Sequence, residues 1–328
     1  MQKAKTIYFT APKQIEIRET SLPPLKEDEV LVETICSAIS AGTEMLVYRG
    51  QFPHLADSHD VVSSDLDYPL AYGYACVGVV RETGKAVNRE WLDRKVFAFQ
   101  PHTSAFCAQP SALIPIPDSI SPENACFLPN METAVNLVQD GAPILGERVL
   151  VLGQGVVGLL TASLLNEFPL ESLVTVDRFE FRQNALQAVG RKSKVESRSI
   201  QDLRPSTFDL VFELSGSPSA LNDAISLACF SGRVVIGSWY GQKRAEIDLG
   251  GTFHRSRIKL ISSQVSSISP ELTGRWDKSR RFEVTWDALK RIQPEKWITH
   301  RFSIEDASKA YQLLDENPQE TIQVVFEY

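Results

Sequence analysis

The chain of 328 residues is short of cysteine, has no excess of basic residues and carries no long apolar run. Its five cysteines (Cys36, Cys76, Cys107, Cys126, Cys229) are odd in number, scattered and without a CxxC pair. That excludes a disulfide scaffold and zinc-finger spacing, and it suits reduced thiols in the cytoplasm. Lys and Arg number 34 against 41 Asp and Glu, a net charge of −7. No general attraction to nucleic acid or to an anionic membrane follows from such a balance. No run approaches the roughly 20 apolar residues that span a bilayer, and the first residues show no apolar stretch with a cleavage site. Hydrophobic residues at 43% and charged residues at 23% exclude disorder and collagen-like repeats. The length fits two domains or one large one. A soluble, cytoplasmic enzyme with a small-molecule partner is the expectation.

What is present changes character along the chain. Runs at 6–9, 14–18, 29–36 and 76–80 alternate or are β-branched and are separated by turn residues, which predicts short strands of a small barrel or sandwich. A polar stretch between Phe52 and Pro69 has no period and reads as a long surface loop of the kind that forms lids. From about Glu123 a helical stretch, interrupted at Pro129, leads into the apolar strand 148–152. Helix and strand then alternate through about 265, the pattern of a doubly wound parallel sheet. The remainder is polar and helical, closing on an amphipathic helix and a final strand.

Gly153-Gln154-Gly155-Val156-Val157-Gly158 has GxGxxG spacing, directly after an apolar strand and at the opening of a helix. In that context the three glycines do different things. Gly153 permits a tight turn, Gly155 lets the backbone approach a pyrophosphate, and Gly158 allows close packing of helix on strand. The helix N-terminus offers free N–H groups and a positive dipole end to phosphates. Asp177, at the end of the next strand, is placed to accept from ribose hydroxyls and to repel a 2′-phosphate, which favours NAD(H). Arg178 beside it leaves NADP(H) open.

The order of parts resembles the medium-chain dehydrogenase/reductase superfamily over nearly the whole chain. The landmarks are SAGTE at 40–44, YPLAYGYACVGVV at 68–80, LPNMETA at 128–134, the glycine fingerprint, GRVVIG at 232–237 and the segment 298–314. The resemblance implies a GroES-like β-rich catalytic domain at 1–122, rejoined by 266–328, and a Rossmann cofactor domain at 123–265, with both substrates in the cleft between them. It also implies a homodimer through sheet edges near 255–265. Ala41 and Tyr74 stand where zinc-dependent members hold the catalytic metal, and neither is a usual zinc ligand. The cysteines of the structural zinc lobe are absent. The pattern is similar to a zinc-free branch that includes bacteriochlorophyllide dehydrogenases, and LPNMETA is similar to quinone and enoyl reductases.

Without zinc, hydrogen-bond donors must stabilise the substrate oxygen. Thr43 matches the family's hydroxyl relay, Tyr74 replaces a metal ligand, His102 could exchange a proton near neutral pH, and Glu44 offers chemistry or an ion pair. Tyr48 and Phe99 are expected to line a substrate pocket, with Phe52, Tyr74, Trp239 and Tyr240 adding to a bulky, apolar character. By resemblance Thr133, Ser215 and Gly237 approach the nicotinamide ribose and ring. His54, Asp57, His59 and Asp60 read as solvated loop residues rather than a metal site. Lys278, Arg280 and Arg281 read as a solvated helix face, and Cys36 and Cys76 as inert core thiols. The expected function is NAD(H)-linked interconversion of a secondary alcohol and a ketone. The alternatives are an NADPH-dependent quinone or enone reductase and a non-catalytic dinucleotide-binding sensor or interaction protein.

Overall fold

The computed structural model describes residues 3–52, 66–186 and 195–328. His54, Asp57, His59 and Asp60, with the loop expected around them, lie outside the described residues. The chain forms two units, Met1–Pro129 with Gln293–Tyr328, and Asn130–Ile292.

In the first unit, β1 (Lys3–Ala11) and β2 (Gln14–Ser21) form an antiparallel hairpin. The inward positions Ile7 and Phe9 of β1 alternate with more exposed ones, the period of two that buries one face of a strand. Strand β3 (Val30–Ala38) is followed by the short helix α1 (Thr43–Tyr48). Then come β4 (Leu70–Ala71), β5 (Cys76–Thr83), β6 (Lys95–Ala98), β7 (Ala105–Ala108) and β8 (Ile114–Pro115). β4 pairs with β1.

Two helices come next, α2 (Pro122–Ala125) and α3 (Leu128–Gly141). Ser121 caps α2, its hydroxyl accepting from the Asn124 N–H at 3.2 Å. Pro129 does not break the second helix. It sits in the first turn of α3, where an N–H has no partner within the helix.

The second unit runs β9 (Arg148–Leu152), α4 (Val156–Leu165), β10 (Ser172–Val176), α5 (Glu180–Ala185), β11 (Val195–Ser197), β12 (Phe208–Glu213), α6 (Ala220–Leu227), β13 (Ala228–Ile236), β14 (Lys259–Ser262) and α7 (Lys278–Ile292). Its six strands are parallel in the order β11-β10-β9-β12-β13-β14, the doubly wound arrangement with its reversal between β9 and β12. The core of this unit gathers Leu150, Val174, Val211, Ile225 and Val234.

The chain returns to the first unit with β15 (Ile298–Ser303), α8 (Ala307–Glu316) and β16 (Gln323–Glu327). The return thus starts at Gln293 rather than 266, and α7 stays with the second unit. Arg281 of α7 explains why. Expected on a solvated face, it is fully buried and donates to Glu132 Oε1 at 2.9 Å and Asn136 Oδ1 at 2.6 Å on α3. Arg280 lies over the Trp276 ring, 4.3 Å from its centre.

β16 lies between β15 and β3 in the seven-stranded sheet, ordered β15-β16-β3-β5-β6-β8 with β7 also on β3. α8 buries Ala307, Ala310, Tyr311 and Leu314, one stripe of a helix. They join Phe9, Met45, Leu46, Phe326 and others in a core where each fully buried large side chain contributes about 1.5–3 kcal/mol. Among the described residues no helix is long and apolar enough to cross a membrane.

Candidate functional site

In the second unit, β9 ends at Leu152 and the chain turns at Gly153 with φ +96°, a left-handed conformation that glycine adopts without strain. A side chain at Gly153 would put its Cβ 2.5 Å from the Leu214 carbonyl, so the turn lies against the end of β12. A Cβ at Gly158 would sit 1.9 Å from the Gly153 carbonyl, which is the close helix–turn packing expected of it. At Gly155, the residue before α4, a Cβ would meet no protein atom within 4 Å. Gly155, Val156 and Val157 are only half-buried. The helix N-terminus therefore opens onto a space bare of side chains, which fits a pyrophosphate.

Asp177 comes directly after β10. Its Oδ2 accepts from the Gln154 N–H at 2.6 Å and its Oδ1 from the Phe179 N–H at 2.9 Å. Each carboxylate oxygen keeps a lone pair for a ribose hydroxyl. Arg178 is exposed, its guanidinium 4.4 Å from the centre of the Phe179 ring. The Gln154 side chain is buried under the turn and donates to the Gly153 carbonyl at 2.9 Å.

Ser215 and Gly237 stand at the ends of β12 and β13. The Ser215 N–H and hydroxyl both donate to Glu213 Oε1, the former at 2.9 Å, and the Tyr240 hydroxyl donates to Glu213 Oε2 at 2.5 Å. Burial first, and then this contact with Glu213, raise the Tyr240 phenol above its ordinary pKa. Gly237 is explained by packing, because a Cβ there would lie 2.5 Å from Leu137 Cδ2. Thr133 is half-buried on α3.

In the first unit, the residues singled out for chemistry divide into two groups. Tyr74 is half-buried, and its hydroxyl is 2.5 Å from Ser40 Oγ; Thr43, at the start of α1, donates its N–H to the same oxygen at 3.4 Å. Burial pushes the Tyr74 phenol up to about 12. Glu44 and His102 are fully buried and bonded to one another, Nε2 to Oε2 at 2.8 Å. Glu44 also accepts from the Tyr311 hydroxyl at 2.6 Å and the Ser40 N–H at 2.8 Å. His102 Nδ1 is 2.7 Å from Ser37 Oγ, which is 2.8 Å from the Tyr328 hydroxyl.

Donation from Ser37 to Nδ1 and from Nε2 to Glu44 makes one chain that runs from Tyr328 through Ser37 and His102 to Glu44. Both ring nitrogens of His102, expected to exchange a proton, are engaged inside the core. Gly73 makes room for it: at φ +133° a Cβ there would lie 2.8 Å from His102 Cδ2.

Tyr48 and Phe52 also depart from expectation. Both are core residues, and Tyr48 is stacked on Tyr311 with ring centres 5.5 Å apart. Phe99 is half exposed and packs edge-on against Phe97. Cys36 and Cys76 are buried, and burial lifts the Cys76 thiol to about 12.

Among the described residues, those at the expected metal positions do not make a zinc site. Ala41 has no ligand atom, the Tyr74 oxygen is held by Ser40, and His102 is occupied on both sides. Among the described residues no group of three or more His, Cys, Asp or Glu could hold a metal ion.

Sequence reasoning missed Glu213, Ser37, Ser40, Tyr311 and Tyr328. Only Glu213 carried a local signal, a carboxylate closing a largely apolar strand.

No family profile matches the chain. It is similar to the L-threonine 3-dehydrogenase of Xanthomonas campestris pv. campestris strain B100, 24% identical, with 93% of this chain and 94% of that protein covered. Two solved structures have the same fold. One is a short chain alcohol dehydrogenase, rspB, of Escherichia coli CFT073 complexed with NADH (TM-score 0.77, 19% identity, 99% of each chain). The other is a candidate zinc-binding dehydrogenase of Sinorhizobium meliloti 1021 bound to NADP (TM-score 0.77, 17% identity, 100% of each chain). The fold, with a mostly antiparallel β unit and a parallel Rossmann unit, is that of these two dehydrogenase structures. All three of these proteins are dehydrogenases.

Proposed function

We propose that the protein is a zinc-independent oxidoreductase that interconverts a secondary alcohol and a ketone with NAD(H). The glycine cradle carries this reading, because Gly155 leaves the α4 N-terminus open where a phosphate is held. Asp177 supports NAD(H), since its carboxylate would oppose a 2′-phosphate. The bound nicotinamide supplies the hydride chemistry.

Tyr74 and Thr43 are the groups proposed for the substrate oxygen. Tyr74, protonated at all ordinary pH, donates to Ser40 Oγ and can turn that proton toward the substrate oxygen as negative charge develops there, with Thr43 beside it. Glu44 and His102 hold the Ser40 backbone in place through the 2.8 Å bond to Glu44. The substrate class is bulky and apolar only as far as exposed Phe99 argues for it, now that Tyr48 and Phe52 are core. β14 is an edge strand, which supports a homodimer built by pairing of two such edges.

The test is a titration of the purified protein with NADH and NADPH, with metal content read on the same sample. Tight NADH binding without stoichiometric zinc, followed by turnover of ketones, is the expected result. Preference for NADPH would move the reading to a quinone or enone reductase. A full equivalent of zinc would overturn the metal-free chemistry, and binding without turnover on any carbonyl would indicate a sensor.

A further inference from the structure

We propose that Glu213 is a positioning residue whose charge tilts the second unit toward the oxidised, positively charged form of the nicotinamide cofactor. The inference rests on the cofactor reading above. In a doubly wound sheet the dinucleotide lies across the carboxyl ends of the strands where their order reverses, here between β9 and β12. Asp177, after β10, marks the adenosine side, so the nicotinamide side falls to the ends of β12 and β13. Glu213 is the last residue of β12 and is fully buried. The loop after it touches the fingerprint turn, as the 2.5 Å approach of a Gly153 Cβ to the Leu214 carbonyl shows.

A carboxylate only accepts, and the contacts to Glu213 are donors: the Ser215 N–H, the Ser215 hydroxyl and the Tyr240 hydroxyl. Both hydroxyl protons are thereby committed. Ser215 and Tyr240 present only lone pairs to anything else, and Ser215 Oγ already accepts from the Ser217 N–H at 3.1 Å. The second strand end is stitched to the first, since the Gly237 N–H donates to the Glu213 carbonyl at 3.1 Å and the Gly216 N–H to Ser238 Oγ at 2.9 Å. The result is a fixed wall in which the Ser215 and Tyr240 oxygens accept, with the Glu213 carboxylate behind it and the Lys243 ammonium, which donates to the Gly216 carbonyl at 2.8 Å, at its side. Such a wall attracts a cationic ring carrying N–H donors and gains less from the neutral reduced ring.

Fluorescence titration of the whole protein with NAD+ and NADH, or with the NADP pair if that pair binds, tests this. Glu213→Gln keeps the shape and removes the charge. It is expected to weaken the oxidised cofactor roughly tenfold and the reduced one by no more than about twofold, the scale of one unit charge acting over about 12 Å at an effective dielectric of about 20. Equal weakening of both, or an unchanged ratio, would overturn the proposal and assign Glu213 a purely structural part. Tyr240→Phe leaves the charge in place and is expected to keep or increase the preference for the oxidised form; loss of that preference in this variant overturns the proposal independently. A wild-type protein that binds neither form would instead overturn the cofactor reading on which this one stands.

Discussion

Tyr74 and His102 illustrate how burial separates two residues that look equally reactive on paper. Tyr74 keeps part of its surface and a hydroxyl partner in Ser40, so its proton has somewhere to go. Tyr74→Phe should lower turnover by about 10²–10⁴-fold, the usual worth of a placed acid, while nucleotide affinity in a binding titration stays unchanged. His102 has no exposed atom, and its loss would leave the Glu44 carboxylate buried with a donor missing. His102→Ala should therefore cost about 3–5 kcal/mol of stability in a urea titration, as breaking a buried pair does. Loss of activity in a His102→Ala protein of unchanged stability would return the residue to catalysis.

At the scale of elements, the turn between β9 and α4 was readable because strand, glycines and helix are neighbours in the chain. Two substitutions in it should part company. Gly158→Ala forces a Cβ onto the Gly153 carbonyl and should destabilise the fold by about 1–3 kcal/mol. Gly155→Ala meets only open space, at a φ of −67° that alanine accepts. It should melt with the wild type in a thermal scan and yet lose most of its dinucleotide affinity. Paired results of this kind separate a glycine needed for packing from one needed for a ligand. The buried network of the first unit was not readable for the opposite reason. Glu44 finds Tyr311 across 267 positions and Ser37 finds Tyr328 across 291, distances over which no periodicity speaks. Tyr48 misled because an aromatic residue near a site and one in a core look alike in composition. Only the burial of every neighbour from Glu44 to Val47 distinguishes them. Pro129 misled because a proline in a first turn and a proline that ends a helix differ only in whether the residues after them stay helical.

For the whole molecule, the phenols set an alkaline limit. Tyr48, Tyr68, Tyr74, Tyr240, Tyr311 and Tyr328 are all raised, with burial the largest cause in each. A raised phenol binds its proton more tightly in the folded chain than in the unfolded one. Stability is then complete below the ordinary phenol value of about 10 and declines as the pH rises past it. Urea midpoints measured at about pH 8 and about pH 10.5 should show the drop, with m unchanged. An equal midpoint at both would mean the buried tyrosines gain no such protection. If two β14 edges pair, sedimentation should return twice the 36.6 kDa mass of the chain.

The placement of β16 between β3 and β15 also has a consequence for synthesis. The second unit is one continuous stretch, Asn130–Ile292, whereas the first needs segments from both sides of it. On a ribosome, which delivers the chain in order, the Rossmann unit is available to fold while β3 still lacks its last partner, β16. The β-rich unit closes only when β15, α8 and β16 have emerged, so its unpaired edge of β3 waits longest among the elements and is the point at which a chaperone has most to protect.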